Sequence, residues 1–341
     1  MQYIEIVKII LLLVFFFIFN KLCLHYKFFL NDTSISKHKS FVSKNNRVLI
    51  TGGFFLIFGN IIYQKDFFSS LENLFYIFIF CTGLFADVYK KFFPLFRIFF
   101  QILIVFFFIK LFNLMIKDVR IDFINSILSK ESISLIFTAF CIIVLINGSN
   151  FIDGVNLSTI SYYLLVLLII LILSENNYFI ADLYFIKIQI FLLFILIFFN
   201  FRNYVYLGDG GVYLISFITS AVVINFINNN TIISPYFAVL LLWYPCFENL
   251  FSIIRRLFTN KNTYHADNYH LHHLIYLFFL RKNILYPSNI TGLLIFSFNF
   301  IILTLGYKFY NETKYLLLLI VFLVILYCCC YFYLRRLLVN K

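Results

Sequence analysis

Residues 315–334 read YLLLLIVFLVILYCCCYFYL, a run of twenty residues without a charged side chain. About twenty apolar residues are what an α-helix needs to cross the ~30 Å hydrocarbon core of a bilayer. Because no water is available there, the backbone of such a segment must hydrogen-bond to itself, as a helix does. The run therefore predicts a transmembrane helix.

The rest of the chain repeats this pattern. Hydrophobic residues make up 63% and charged residues 12% of the 341 positions, with a mean hydropathy of +0.95, whereas soluble domains are nearer to half apolar and a quarter charged. We therefore expect an all-α polytopic membrane protein of about ten or eleven transmembrane helices, built as a single domain over residues 1–341. The predicted spans are 3–24, 48–63, 67–85, 93–112, 133–147, 158–174, 183–200, 212–228, 233–253, 288–306 and 314–334.

Positive charge is divided unevenly between the two sets of connecting segments. With eleven spans, one set carries sixteen Lys and Arg residues and the other carries six. Positively charged loops stay in the cytoplasm, so the first set, which includes 25–47, 147–157 and 254–287, is predicted to be cytoplasmic and the N-terminus external. The net charge of +12 then reflects topology and attraction to anionic membrane lipid. Nucleic-acid binding is not expected, because the basic residues are scattered rather than gathered in one stripe.

Four polar stretches interrupt the apolar pattern, and all of them fall on the predicted cytoplasmic side. Apolar helices do not explain their Gly, Asn, Asp and His residues, so we expect an active site at the cytoplasmic face. The stretches are Gly83–Asp87, Asn147–Gly154, Leu207–Gly211 and Asp267–His273.

Three carboxylates, Asp87, Asp153 and Asp209, each lie where an apolar run meets a loop. An acid at the end of a membrane helix is costly unless it is solvated, paired or bound to a metal. A solvated helix cap is the ordinary interpretation of any one of them, whereas three beside glycines favour a shared Mg²⁺ site. Gly208 and Gly210 would let the backbone approach a ligand closely and offer N–H groups to a phosphate.

The longest predicted cytoplasmic loop, 254–287, carries four of the six histidines. If residues 267–274 are helical, Asp267, His270 and His273 share one face and His272 points elsewhere. These residues predict either a metal site of His and Asp ligands or an anion site for a diphosphate, with solvated interface histidines as the ordinary alternative. The basic residues nearby in sequence are Arg255, Arg256 and Lys261.

Asn147 and Asn150 are candidates for binding sugar hydroxyls, a uracil edge or the Asp153 carboxylate. Capping of a helix start by Asn150 or Asp153 is an equally ordinary interpretation.

Taken in order over residues 31–275, these stretches resemble those of the polyprenyl-phosphate N-acetylhexosamine-1-phosphate transferases. The segment Asn31–Lys39 and then Thr51–Gly53 look like the family's first cytoplasmic loop and its Gly-Gly entry to the second span. The stretch Gly83–Asp87 looks like its acidic loop, and the helix after it carries Pro94, Arg97 and Gln101.

Three further motifs carry the resemblance. Asn147, Asn150, Asp153 and Gly154 match Asn-x-x-Asn-x-x-Asp-Gly. Gly208-Asp209-Gly210 matches Gly-Asp-Ser/Thr-Gly with one substitution. The most specific match is Asp-x-x-His-x-His-His, at Asp267, His270, His272 and His273.

The resemblance implies transfer of a sugar-1-phosphate from a UDP-N-acetylhexosamine to undecaprenyl or another polyprenyl phosphate, which releases UMP and starts a lipid-linked cell-surface glycan. It implies Asp209 as the main ligand of Mg²⁺ (or Mn²⁺), Asp87 beside it as a group that orients the lipid phosphate, and Asp153 with Asn150 as contacts of the nucleotide sugar. The histidines would contact the diphosphate or the sugar. A multi-pass protein of the bacterial inner membrane, serving cell-wall or lipopolysaccharide O-antigen synthesis, is expected, and a homodimer is compatible with the family.

Two alternatives remain open at this stage. The family normally has two adjacent Asp residues in the acidic loop, and here the first is Ala86. A catalytically degenerate homologue that binds nucleotide sugar or lipid phosphate is therefore one alternative. A lipid-linked-sugar transporter is the other, although a transporter should place its polar groups near the bilayer midplane rather than at helix ends.

Overall fold

The computed structural model describes residues 2–30, 48–89, 94–175, 178–179, 182–258 and 269–339. Over these residues the chain forms fourteen helices and two short strands. The helices are α1 (Gln2–Tyr26), α2 (Gly52–Tyr63), α3 (Leu71–Val88), α4 (Pro94–Leu111), α5 (Asp122–Leu128), α6 (Glu131–Ile152), α7 (Ser158–Glu175), α8 (Leu183–Phe201), α9 (Gly208–Asn229), α10 (Pro235–Leu241), α11 (Trp243–Phe258), α12 (Leu271–Arg281), α13 (Pro287–Lys308) and α14 (Thr313–Val339). The strands β1 (Leu49–Ile50) and β2 (Val205–Tyr206) pair in parallel.

The predicted all-α polytopic membrane fold is confirmed. Within the described residues, eight helices are long and apolar enough to cross a membrane: α1, α3, α4, α6, α8, α9, α13 and α14. Counting the bent pair α10–α11 and the shorter apolar helices α2 and α7 as crossings brings the number to eleven. With twelve residues, α2 is about 18 Å long, so the span predicted at 48–63 is shorter than a full crossing.

Helix α9 lies at the centre of the bundle. Buried residues make up 83% of its most apolar stretch, the largest share of any candidate span over the described residues. Small residues such as Gly211, Ser216 and Ala221 lie along it and are buried. Small residues let membrane helices approach closely, and α9 packs against α2, α3, α6 and α7. Helix α9 is thus surrounded by neighbouring helices.

The span predicted at 233–253 is wrong as a single helix, because α10 and α11 are bent by 74° at the break between them. Pro245 lies in the first turn of α11. A proline ring clashes with the carbonyl group four residues earlier, which here belongs to Leu241. The Leu241 carbonyl instead accepts a 2.7 Å hydrogen bond from the Tyr162 hydroxyl. The bend is therefore a consequence of sequence, stabilised by a neighbouring helix.

Two helix boundaries differ from the predicted ones in a way that affects the candidate site. Helix α6 continues to Ile152 rather than ending near residue 147, so Asn147 and Asn150 lie inside a helix and not in a loop. Helix α9 begins at Gly208, so Asp209 lies in its first turn. The side chains are therefore held by regular backbone.

Candidate active site

The last turn of α3 and the first turn of α9 are in direct contact. A Cβ atom on Gly83 would lie 2.5 Å from the backbone of Asp209 and Gly210, so only glycine permits this approach. One turn further along α3, the Asp87 carboxylate accepts a 3.2 Å hydrogen bond from the backbone N–H of Gly210. A negative charge is stabilised at this position by the N-terminal end of the α9 dipole.

The entry to α9 is shaped around the Asp87 carboxylate. Gly208 has a φ of +75°, a left-handed conformation that favours glycine. A Cβ atom at Gly208 would lie 2.9 Å from Oδ2 of Asp87. The backbone therefore leaves room for the Asp87 carboxylate beside Gly208, the residue that precedes Asp209.

Arg97 links Asp209 to the neighbouring helices. Its guanidinium group is 3.6 Å from Oδ2 of Asp209, and the two side chains are 24% and 21% exposed. The guanidinium carbon also lies 5.7 Å from the centre of the Tyr213 ring, and the Tyr213 hydroxyl accepts a 3.0 Å hydrogen bond from Asn150. Helices α4, α9 and α6 thus contribute to one connected set of polar side chains.

The remaining predicted residues of α6 lie around this set. Asn147 donates 3.0 Å hydrogen bonds to the side chain of Gln101 and to its own helix at Ile143. Asp153 directly follows the last residue of α6. Burial and the charge of Asp153 raise the pKa of Tyr206, whose hydroxyl is buried without a hydrogen-bond partner among the described residues. Asp153 therefore lies close to β2, just ahead of α9.

The histidines pack against the segment that follows α6. A Cβ atom on Gly154 would collide with Nε2 of both His272 and His273. The His272 and His273 ring centres are 4.2 Å apart, and the His270 ring is nearly parallel to that of His272 at 5.6 Å. Burial, together with His273 and His270, holds the pKa of His272 well below its ordinary value. His272 is therefore neutral near pH 7.

Two details of the predicted histidine arrangement are wrong. Helix α12 begins at Leu271, and His270 precedes it with extended backbone, so His270 and His273 are not stacked on one helix face. His272 does not point away from the other two, because its ring lies against both. Within the part of the chain that the structure describes, neither ring nitrogen of His272 has a hydrogen-bond partner. Asp267 and Lys261 lie outside the described residues.

The two predicted arginines of α11 lie against aromatic rings, and the ring beside Arg256 also contacts a histidine. The guanidinium carbon of Arg256 is 5.7 Å from the centre of the Phe151 ring, and that of Arg255 is 5.8 Å from the centre of the Tyr331 ring. Phe151 also contacts the His270 ring, with the centres 4.8 Å apart. Positive charge is therefore present beside the histidines, as an anion site requires.

Among the described residues there is no group of three or more His, Cys, Asp or Glu side chains that could hold a metal ion. Sharing of one Mg²⁺ by Asp87, Asp153 and Asp209 is therefore not supported by this geometry. Mg²⁺ commonly takes one or two carboxylates and completes its shell with water and substrate phosphate. The Asp87 carboxylate, bonded to the N–H of Gly210, and the neighbouring Asp209 are residue types that fit such a donor set.

Three residues of the site were not predicted from the sequence. Tyr213 connects Arg97 to Asn150, but a tyrosine in an apolar helix gives no signal by itself. Glu248 is buried on α11 and contacts His270 and Tyr327. A carboxylate within a membrane helix is a functional candidate by default, so Glu248 was detectable from the sequence, whereas Tyr327 was not.

Residues 72–227 match the family model described as glycosyl transferase family 4. A search of curated proteins found no match to the chain. The matched segment contains Asp87, Arg97, Asp209 and the asparagines of α6, and it ends before the histidines. At the level of the family, the match supports a polyprenyl-phosphate sugar-1-phosphate transferase of a membrane. Together with the all-helical membrane fold, it supports the assignment of this chain to glycosyl transferase family 4.

Proposed function

We propose that the protein transfers N-acetylhexosamine-1-phosphate from a UDP-sugar to undecaprenyl phosphate, or another polyprenyl phosphate, and releases UMP. The observation that carries this proposal is that Asp87 bonds to the first turn of α9, where Asp209 forms its ion pair with Arg97. An oxygen of the lipid phosphate attacks the β-phosphorus, the bond from that phosphorus to the bridging oxygen breaks, and UMP leaves with the bridging oxygen.

Both substrates are anions, so the site must offset repulsion as they meet. Asp209 and Asp87 would hold Mg²⁺, which supplies charge neutralisation and polarises phosphoryl oxygens. The ion pair of Arg97 with Asp209 is long and partly open to solvent, and such pairs contribute little stability. Its guanidinium group can therefore turn toward a phosphate at small cost.

We assign the two sides of the site to the two substrates. Asn150 and Asp153, with the histidines packed on Gly154, would bind the nucleotide sugar. Asp87 would orient the lipid phosphate. A lipid phosphate is already largely ionised near neutral pH, since the second pKa of a phosphomonoester is about 6, so the reaction makes little demand for a general base at the position of Ala86.

An apolar groove offers a place for the polyprenyl chain of the acceptor. Its volume is about 490 Å³, and its walls come from α6, α9, α10, α11, α14 and the segment 116–124. Residues from the end of the bundle opposite the carboxylates, among them Ile116, Asn228 and Pro235, line it together with Leu145 and Leu250. We place the end of the bundle that carries the carboxylates at the cytoplasmic face of the bacterial inner membrane, where a soluble donor has access.

The test is transfer of label from a panel of UDP-N-acetylhexosamines to undecaprenyl phosphate by the purified protein in detergent with Mg²⁺. We expect labelled lipid from the wild type, and none after addition of a chelator or in Asp209→Asn. No labelled lipid from any donor, with or without the substitution Ala86→Asp, would contradict the proposal.

A degenerate homologue is the second candidate, and the observation that favours it is Ala86 next to Asp87. It predicts an inactive wild type whose transfer activity is restored by Ala86→Asp. The transporter alternative predicts neither result. A transporter would move a preformed lipid-linked sugar across the membrane of a vesicle without labelling the lipid.

A further inference from the structure

Glu248 is a buried carboxylate held between two side chains from other elements. It is 1% exposed. Its Oε1 lies 2.9 Å from Nδ1 of His270, and its Oε2 accepts a 2.7 Å hydrogen bond from the hydroxyl of Tyr327 on α14. A carboxylate buried in a membrane protein is costly unless both oxygens are satisfied. Here each oxygen has one partner.

This contact determines which nitrogen of His270 is available to a ligand. An ionised carboxylate only accepts hydrogen bonds, so an ionised Glu248 requires that Nδ1 of His270 be the donor. The second ring nitrogen, Nε2, is then the atom that can face another group. Fixing one nitrogen of a histidine in this way also fixes the orientation of its ring.

The surroundings of His270 hold the ring and supply charge. The ring centres of Phe151 on α6 and His270 are 4.8 Å apart. The His272 ring is nearly parallel to that of His270, with the centres 5.6 Å apart. His273 is also 5.6 Å away. Arg256 lies over Phe151. His270 immediately precedes α12. Its contact with Glu248 therefore also fixes the start of the helix that carries His272 and His273.

We propose that Glu248, assisted by Tyr327, is a positioning residue that orients His270 so that Nε2 donates a hydrogen bond to a diphosphate oxygen of the nucleotide. Phosphate oxygens are hydrogen-bond acceptors, so Nε2 acts as the donor to the nucleotide while Nδ1 faces the Glu248 carboxylate. This inference deepens the proposed function and rests on it for the identity of the ligand. No direct contact of Glu248 or Tyr327 with the substrate is involved.

The test is a double-mutant cycle on the affinity for UDP, measured by calorimetry on the full-length protein in detergent with Mg²⁺. Glu248→Gln and His270→Gln should each weaken UDP binding about tenfold, as expected for loss of a hydrogen bond to a charged group. The double variant should bind no more weakly than His270→Gln, because Glu248 acts only through His270. Independent losses that multiply, or unchanged binding by Glu248→Gln, would overturn the proposal.

Two further variants separate positioning from folding. Tyr327→Phe removes one hydrogen bond from Glu248 and keeps every charge, so it should weaken UDP binding two- to fivefold, by about 0.5–1 kcal/mol, and only when His270 is present. Asn299→Leu removes a buried 3.0 Å hydrogen bond from Trp243 on the same α11 and should leave UDP binding unchanged. If Glu248→Gln does not fold, the cycle of Tyr327→Phe with His270→Gln decides the question in the same way.

The two proposals fail differently. A wild type that binds UDP with coupling between Glu248 and His270, but labels no lipid, would contradict the proposed function alone. A wild type that labels lipid but shows independent effects at Glu248 and His270 would overturn the positioning role alone. A wild type that does not bind UDP would overturn it as well.

Discussion

The candidate site and a cluster of amides at the other end of the helix bundle bury polar groups in different ways. At the end opposite the candidate site, neutral amides bond to one another: Asn73 donates to Gln64 at 2.7 Å, Gln64 to Asn60 at 2.9 Å, and Gln189 to Asn60 at 2.6 Å. At the site, the side chains are ionisable and gather around glycines, and the Arg97–Asp209 distance is 3.6 Å.

This difference separates structural polarity from functional polarity. Short bonds between neutral amides hold membrane helices together and bring no net charge into the bilayer. Loosely paired ionisable groups at a helix end do little for stability but remain available to a ligand. Substitutions at the amide end should therefore change the free energy of unfolding, and substitutions at the site should change the transfer rate.

The largest effect is expected at Asp209, with Asp182 as its counterpart at the other end. Both are carboxylates at the start of a long apolar helix, since Asp182 caps α8 and accepts a 2.8 Å hydrogen bond from the N–H of Phe185. Asp209→Asn should lower kcat/KM for lipid labelling about a hundredfold or more, because a neutral amide is a poor Mg²⁺ ligand. Asp182→Asn should leave the rate unchanged, since Asn also caps helices well.

Labelling and thermal unfolding of both variants would be measured side by side. Equal losses of activity in Asp182→Asn and Asp209→Asn would break the distinction between the two ends. Loss of folded protein in Asp209→Asn alone would mean that this carboxylate is structural.

The next effect is expected at Gly83, where a Cβ atom would lie 2.5 Å from the backbone of Asp209 and Gly210. Gly83→Ala must displace the first turn of α9, and a shift of about 1 Å at a catalytic group can cost a hundredfold in rate. We expect a ten- to hundredfold loss of labelling, about 1.4–2.7 kcal/mol in activation free energy.

Gly306→Ala is the matched control for Gly83→Ala. A Cβ atom there would meet the flexible end of the Leu240 side chain rather than backbone, and the site is remote. Labelling by Gly306→Ala should stay within about twofold of the wild type, because any adjustment of Leu240 affects local packing alone. An inactive Gly306→Ala, or a fully active Gly83→Ala, would contradict the account of close backbone approach.

A third contrast uses two arginines. Arg120 at the amide end donates hydrogen bonds to the carbonyl oxygens of Asn311, Thr231 and Ile232 and to the Thr313 hydroxyl, over 2.8–3.2 Å. Lysine cannot reproduce that fork, so Arg120→Lys should lower the free energy of unfolding by about 1–2 kcal/mol without a change in labelling. Arg97→Lys should do the reverse: stability is kept, and kcat/KM falls about tenfold.

Unfolding in mixed detergent and lipid labelling would be followed for both variants. A labelling defect in Arg120→Lys, or an unfolding defect in Arg97→Lys, would contradict the assignment of one arginine to each role.

Local features of the structure could be predicted from the sequence more fully than features that depend on long-range contacts. The helices and the convergence of the polar stretches could be predicted from the sequence, because hydropathy and helix ends depend on residues that are neighbours in the chain. Gly83 and Gly208 lie at positions where α3 and the start of α9 come into close contact.

Features that depend on contacts between residues distant in the chain could not be predicted from the sequence. The bend between α10 and α11 follows from Pro245 but is completed by Tyr162 of α7. The pairing of Glu248 with His270 and Tyr327 joins three elements separated by many residues. The path of α6 through Asn147 and Asn150 was missed because polar residues look like a loop when their partners, here Gln101 and Tyr213, are unknown.

The smallest effect is expected in the amide network. Gln189→Leu removes the 2.6 Å hydrogen bond to Asn60, and such bonds between membrane helices contribute about 0.6 kcal/mol on average. Asn60 keeps the bond from Gln64, so its oxygen is not left unsatisfied and the loss should stay near that value. A cycle of Gln189→Leu with Asn60→Leu, followed by unfolding in mixed detergent, measures the coupling directly. Labelling should be unchanged in all three variants. A coupling energy near zero would show that the network is not what holds α2 to α8, and a loss of transfer would show that the two ends of the bundle are not independent.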